Sequence, residues 1–319
     1  MRSDAGGRFM LESEKKTVSV TQALQAFASE ERLPRNFGQT FVAWYEGVTR
    51  HLASRAASNK QTLLVGVSGC QGSGKSTLAR AMARIAEDVF GTPAAALSLD
   101  DFYLTRAERQ RLAATVHPLL ATRGVPGTHD LELLQRTLQA LARNEGPVAL
   151  PGFDKSRDER TNSVQWRQVC APVRLVFLEG WCVGVPPQPD RLLIEPVNKT
   201  ESEQDSAGHW REAVNRQLKG AYAALFNALD TLLFLKAPDF DTVFDWRWEQ
   251  EQRLFESVEE DANASAGGAM TRDEVGAFVL HYQRLTEHAL ATLPQRADVT
   301  WELDHDRSVR RMQLMTVSA

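Results

Sequence analysis

The stretch Gly69-Cys70-Gln71-Gly72-Ser73-Gly74-Lys75-Ser76 decides the reading of this chain. It satisfies every fixed position of G-x-x-x-x-G-K-[ST], the loop that wraps nucleotide phosphates. Ahead of it, Thr62 to Ser68 is a short apolar run dense in Leu and Val, and behind it Lys75 to Val89 has helical spacing. Strand, glycine-rich loop and helix in that order are the context the motif requires. Gly69, Gly72 and Gly74 let the backbone turn its N–H groups inward on an anion, and the start of the following helix adds its positive end. Lys75 is expected to reach the β- and γ-phosphates of ATP and Ser76 to bind Mg²⁺, while Gln71, Ser73 and Thr77 complete or support the loop. Cys70 reads as incidental.

Further apolar runs of strand length lie at Ala95 to Leu99, Arg174 to Leu178, Thr231 to Leu235 and Val299 to Leu303, with helical segments between them. That alternation predicts an α/β fold: a P-loop NTPase of three α/β/α layers with a mainly parallel five-stranded sheet over 61–319. Residues 1–60 read as an N-terminal helical extension. Leu24, Phe27 and Ala28, then Phe41, Trp44, Val48 and Leu52, recur at helical spacing, with a first cap near Thr21. The small polar run Ser54 to Lys60 marks the boundary. Segments near 105–128, 147–167 and 186–209 interrupt the alternation and are expected to be substrate loops, with a helical lid over 240–260. Ala262 to Met270 reads as a surface loop.

Thirty-seven Lys and Arg stand against 41 Asp and Glu, a net charge of −4 with no long run of one sign, which argues against a nucleic-acid partner. Three cysteines at 70, 170 and 182 are too few and too scattered for a disulfide framework or a zinc site, and suit a reducing compartment. Met1 to Lys16 is too charged for a secretory signal, and no window holds the roughly 20 apolar residues of a membrane span. The expected location is cytoplasmic, with no membrane partner.

A phosphate loop alone leaves GTPases, motors and small-molecule kinases open, so polar residues at other strand ends must decide. Ser98-Leu99-Asp100-Asp101-Phe102-Tyr103 sets two carboxylates beside two aromatics at the end of the second strand. A kinase needs such a carboxylate to orient the attacking hydroxyl and take its proton; an Asp that merely caps a helix is the alternative. Val176-Phe177-Leu178-Glu179-Gly180-Trp181 ends the third strand in an acid where P-loop enzymes hold Mg²⁺, with a strand-terminal Glu in solvent as the alternative.

The Asp100-Asp101-Phe102-Tyr103 stretch after a phosphate loop resembles the uridine kinase, phosphoribulokinase and pantothenate kinase group. That resemblance implies Asp100 as catalytic base, Asp101 as a supporting or metal-facing partner, and Glu179 in place of the usual Asp. Arg123-Gly124-Val125-Pro126-Gly127-Thr128-His129-Asp130, Leu150-Pro151-Gly152-Phe153-Asp154-Lys155 and Val197-Asn198-Lys199 together resemble the D-glycerate 3-kinase family, from about residue 60 to the C-terminus. The resemblance implies D-glycerate as acceptor and 3-phosphoglycerate as product.

Glycerate is a small carboxylate, and Tyr103, Arg123, His129, Lys155, Arg157 and Arg160 are candidates to bind it, against the ordinary alternative of solvated surface groups. His129 has a further reading as a brace for the Gly-Thr turn, with Asp130 capping the helix that begins at Leu131. Along the expected lid, Arg247 and Arg253 are candidates to close over the γ-phosphate, and Phe244, Trp246 and Trp248 read as core. The turn from Asp304 to Arg307 is the expected adenine side, with no residue assigned. Two other functions stay open at this point: a same-fold kinase for a nucleoside, pantothenate or sugar acid, and a nucleotide-dependent regulator with a protein partner. The guanine-binding version of the latter is disfavoured, since Asn198-Lys199-Thr200-Glu201 lacks Asp at the fourth place.

Overall fold

Ser19 opens the first helix, α1 (Val20–Glu30): its hydroxyl accepts from the Gln22 N–H while the Gln22 side chain accepts from the Ser19 N–H. The cap therefore sits two residues before the expected Thr21, because the glutamine that completes a reciprocal cap stands three residues after the serine. This computed structural model describes residues 18–143, 146–260 and 270–315, without the side chains of 253–260. The loop expected over Ala262 to Met270 lies, except for Met270, outside the described residues. Helices α2 (Phe37–Trp44) and α3 (Glu46–Ser58) complete the N-terminal group.

The chain then enters the sheet with β1 (Leu63–Gly69), passes through α4 (Lys75–Asp88) and returns as β2 (Ala94–Ser98). Two helices follow, α5 (Arg106–Thr115) and α6 (Leu131–Arg143), and then short strands β3 (Gly146–Leu150), β4 (Phe153–Asp154), β5 (Glu159–Arg160) and β6 (Arg167–Ala171). Strand β7 (Leu175–Gly180) re-enters the sheet. Beyond it lie α7 (Lys199–Gln204), α8 (His209–Lys219), α9 (Ala221–Asn227), β8 (Thr231–Lys236), α10 (Phe240–Glu260), α11 (Arg272–Thr292), β9 (Val299–Leu303) and β10 (Val309–Leu314).

The sheet order is β10-β9-β8-β1-β7-β2. All pairings among β9, β8, β1, β7 and β2 are parallel, so the five expected strands are present and mainly parallel as expected. A sixth, β10, is added antiparallel at the edge. Its Val-Arg-Arg-Met-Gln-Leu sequence has no apolar run, because an edge strand with one paired side needs none; Arg311 instead pairs with Glu302 of β9 at 2.8 Å.

Every residue of β7 is buried, the reason it reads as a continuous apolar run rather than an alternating one. Its Leu175 and Phe177 join one core with Leu24, Phe41, Leu52 and Met82 of the helices on that face. Val176 and Leu178 join the other, with Leu134 of α6, Trp210 of α8 and Leu285 of α11. Three layers result. The Val197-Asn198-Lys199 motif belongs to the second layer as a fastening: Asn198 caps α7 by accepting from the Glu201 N–H and ties it to α11 by donating to the Leu280 carbonyl. Buried Arg284 on α11 donates to both Glu201 oxygens at 2.6 Å and to the carbonyls of Leu192 and Glu195.

Phe41 is fully buried among Phe37, Tyr45 and the α4 side of the core. Phe41→Ala is therefore expected to cost about 3–5 kcal/mol, read by urea unfolding of the whole chain. A cost within experimental error would show that the N-terminal helices are not held by the domain core.

Candidate active site

Parallel pairing aligns the strand ends: Val67 of β1 and Ser98 of β2 both lie beside Glu179 of β7. The loops that leave β1, β2 and β7 therefore emerge on one edge of the sheet, where doubly wound folds bind ligands. From Gly69 the backbone turns through Gly72 and Gly74 at φ 76° and 87°, a region costly for any residue with a Cβ, and α4 begins at Lys75. Gly72 is constrained twice, since a Cβ there would come within 2.6 Å of the Trp246 Cβ on α10. Arg307, in the turn after β9, donates to the Gly72 carbonyl at 2.8 Å, pairs with Glu249 at 2.8 Å and lies 5.0 Å above the Trp246 ring. Helix α10 and this turn thus brace the loop from behind. Inside it, Gln71 Oε1 and Ser73 Oγ are buried without a hydrogen-bond partner.

The Ser76 hydroxyl donates to Glu179 Oε1 at 2.7 Å, and Lys75 Nζ lies 3.9 Å from Glu179 Oε2. Glu179 is buried, which removes the reading of a solvated strand terminus, and its Oε2 accepts no hydrogen bond. Burial and the neighbouring charges of Asp100 and Glu179 push the Asp101 carboxyl up to about 6. Crowded carboxylates, a serine hydroxyl and an unsatisfied buried oxygen fit a divalent cation. Among the described residues no three His, Cys, Asp or Glu side chains form a cation cage of their own. A cation here would complete its shell with phosphate oxygens and water, as Mg²⁺ does.

Asp100 does not cap a helix. Its Oδ1 accepts from the Tyr103 hydroxyl at 2.8 Å and its Oδ2 from Lys155 Nζ at 2.8 Å. Burial alone would raise its carboxyl, but Lys155 and Lys75, with these hydrogen bonds, outweigh burial and hold it well below the usual carboxylate range. The reciprocal attraction to Asp100 raises the Lys155 ammonium.

The Arg123–Asp130 motif folds into a loop around glycine. Gly124 sits at φ 131°, where a Cβ would collide with the Tyr282 ring, and Trp181 Nε1 donates to the Gly124 carbonyl at 3.0 Å. Arg123 pairs with Asp158, donates to the Lys155 carbonyl and lies over the Phe153 ring, so it holds the β4–β5 hairpin rather than facing open solvent. Asp130 caps α6 by accepting from the Leu133 N–H at 2.9 Å, and Arg160 bridges Asp130 and the Tyr103 carbonyl.

His129 is not a cation. It is buried, its ring stacked 4.6 Å from that of Tyr103, and burial pushes it down to about 4 although Asp100 acts in the opposite sense. The Tyr222 hydroxyl oxygen accepts from the Gly127 N–H at 3.0 Å and lies 2.6 Å from His129 Nδ1. The other ring nitrogen, Nε2, is buried without a partner.

Two expected substrate or lid groups stand apart. Arg157 is highly exposed and reaches only Asp154, since the turn carries its side chain outward. Arg247 pairs with Glu251 one helical turn away and lies 5.6 Å from the Phe278 ring, not on the carboxylate cluster. The Arg253 side chain lies outside the described residues. Thr77 falls in the first turn of α4. Arg307 and Tyr222 were not singled out from the sequence: neither lies in a motif, and only the fold brings them to the loop and to His129.

A phosphate loop between a buried parallel strand and a helix, with acids at the neighbouring strand ends, defines a P-loop kinase. No family model matches the chain. It is 32% identical over 262 residues to the uncharacterized kinase mug58 of Schizosaccharomyces pombe, covering 78% of this chain and 88% of that one. It is 33% identical over 244 residues to a chloroplastic D-glycerate 3-kinase of Arabidopsis thaliana, covering 72% of this chain and 48% of that protein. The structure of D-glycerate 3-kinase from Cryptococcus neoformans matches with a TM-score of 0.66 at 25% identity, over 84% of this chain and 97% of that one. The chain belongs to the D-glycerate 3-kinase family of P-loop kinases.

Gly72→Ala is expected to weaken ATP binding by about tenfold or more, because the Cβ must displace either the loop or α10. Wild-type affinity in calorimetry would contradict this account of the loop. His129, faced by Asp100, Tyr103 and Tyr222, binds its proton near pH 4 when folded and near 6.5 when unfolded, so the unfolded chain takes up the extra proton between those values. Stability falls as pH drops through that window, by about 2 kcal/mol between roughly pH 7 and pH 5 through this one group. Urea unfolding of His129→Gln should show a correspondingly shallower pH dependence than wild type.

Proposed function

We propose that this kinase transfers the γ-phosphoryl group of ATP to a hydroxyl of a small hydroxy acid, with D-glycerate the acceptor and 3-phosphoglycerate the product. The observation that carries the reading is the juxtaposition, on one sheet edge, of a phosphate loop with Ser76 bonded to Glu179 and an ionised Asp100 flanked by Lys155. The names of the Arabidopsis and Cryptococcus relatives point to the same acceptor.

In this reading the loop amides and Lys75 grip the triphosphate, and Arg307 and Trp246 keep the loop in the gripping shape. Ser76 and Glu179, with Asp101 facing them, would hold Mg²⁺, which supplies charge compensation to the phosphate oxygens. Asp100 orients the acceptor hydroxyl and takes its proton as the hydroxyl oxygen bonds to the γ-phosphorus and the bond to the β,γ-bridging oxygen breaks, releasing ADP. Tyr103, stacked on His129 and set edge-on to Phe153, fixes the carboxylate that does this. Arg247 closes over the γ-phosphate only by leaving Glu251, so its part requires the side chain to swing off that partner. The cleft between Pro238 and His305, at the ends of β8 and β9, lies on the side expected for adenine.

Among the described residues no helix is long and apolar enough to cross a membrane. All three cysteines are free, which suits the reducing cytoplasm proposed as its location.

The test is a coupled ADP-release assay over hydroxy acids, sugars, nucleosides and pantothenate, run with wild type and Asp100→Asn. Expected is a clear preference for D-glycerate and a loss of about 10²–10⁴-fold in turnover in the variant with ATP binding retained. Preference for another acceptor overturns the substrate assignment. Turnover that ignores every acceptor favours a regulatory nucleotide hydrolase, and undiminished transfer by Asp100→Asn removes Asp100 as the base.

A further inference from the structure

Both oxygens of Asp100 are engaged, but by partners of opposite character. Tyr103 is buried, stacked against His129 and packed on Phe153, so its hydrogen bond to Oδ1 is a fixed part of the site. Lys155 reaches Oδ2 from outside: its side chain is 61% exposed and Asp100 is the partner of its ammonium. The lysine head is a point charge on a flexible, solvent-exposed stem, so it can pass from one anion to another without reshaping its surroundings.

The backbone beneath it is held firmly. Arg123 donates to the Lys155 carbonyl, the Asp154 carboxylate accepts from the N–H and hydroxyl of Ser156, and Asp158 pairs with buried Arg109 at 2.8 Å. The hairpin between β4 and β5 therefore presents one mobile cation from a rigid mount, directly on the group proposed as base.

We propose that Lys155 is an exchange cation that determines specificity: it pairs with Asp100 until the carboxylate of a hydroxy-acid acceptor draws it away, leaving Asp100 Oδ2 to the acceptor hydroxyl. This rests on the kinase reading above and deepens it. An ammonium on the oxygen that must receive a proton competes with that proton, so a neutral acceptor or water meets a base that is already occupied. An anionic acceptor brings the replacement partner with it. The acceptor's size is bounded by the same exchange, because its hydroxyl must reach Asp100 Oδ2 while its carboxylate holds the ammonium that has just left that oxygen, within the reach of one lysine side chain. That favours a short hydroxy acid, with carboxylate and hydroxyl a few bonds apart, over a nucleoside or a long polyol. The same exchange limits wasteful transfer of the phosphoryl group to water.

Full-length Lys155→Met and Lys155→Arg are compared with wild type in two measurements: ATP hydrolysis with no acceptor present, and the ratio of kcat/KM for D-glycerate over glycerol, which has the same carbon skeleton without the carboxylate. Expected for the methionine variant is acceptor-free hydrolysis raised about tenfold and a glycerate-to-glycerol ratio lowered about 100-fold, with the arginine variant between it and wild type. Wild-type hydrolysis and an unchanged ratio in Lys155→Met overturn the proposal. Should wild type itself fail to phosphorylate D-glycerate, the acceptor assignment falls, and the hydrolysis comparison still decides Lys155: a rise supports its role on Asp100, no rise refutes it. Removing the ammonium takes a partner from Asp100, so some loss of stability is expected in Lys155→Met; a single cooperative urea transition with the wild-type slope in both variants separates these effects from loss of fold.

Discussion

A backbone loop can hold a triphosphate only if its inward N–H groups stay where they are when the anion is gone, and here that demand falls on Gly69 to Ser76. The loop is anchored at one end by β1, which is paired on both sides, to β7 and to β8, and buried on both faces. At the other end it becomes the first turn of α4, whose Leu78, Met82 and Ile85 lie in the core. Trp246 and Arg307 close the third side. The architecture around the loop, from the N-terminal helices to the antiparallel edge strand, follows from keeping β1 central and covered.

Charge balance organises the rest of the site. Asp100, Asp101 and Glu179 converge from two strand ends, with Lys75 and Lys155 near them. The shell behind Asp100 is dry and aromatic: Tyr103, His129, Tyr222 and Phe153 pack ring against ring, and within it the imidazole stays neutral. A low-dielectric wall on one side and the exposed ammonium of Lys155 on the other let the ionised Asp100 persist while its partner changes. The loops that carry Arg123 and Lys155 owe their shape to groups set back from Asp100, Asp101 and Glu179, notably Arg109, Trp181 and Tyr282.

Much of this was legible along the chain. The phosphate loop and the acids at 100, 101 and 179 each lie within a few residues of a strand end, and a strand followed by a tight turn is a local event that residue types announce. The five parallel strands were legible because burial on both faces leaves an unbroken apolar run. Edge strand β10 was not, since its outer face meets water and its sequence is polar. The cap at Ser19 was missed by two residues because Ser19 and Thr21 are equally good caps and the reciprocal Gln22 distinguishes them.

The amino-acid sequence by itself pointed to the class of chemistry, since Gly72, Gly74, Lys75 and Ser76 stand within one turn and form a motif that needs no distant partner to be read. Which basic residues serve the site was decided only by tertiary structure. Lys155, Arg123 and Arg157 look alike in a polar loop; the first lands on Asp100, the second turns back to fasten the hairpin, and the third points to solvent. The contact of His129 with Tyr222 and the bracing of Gly72 by Arg307 join residues 93 and 235 positions apart in sequence. Contacts across such distances arise from how layers stack, and no spacing rule along the chain encodes them.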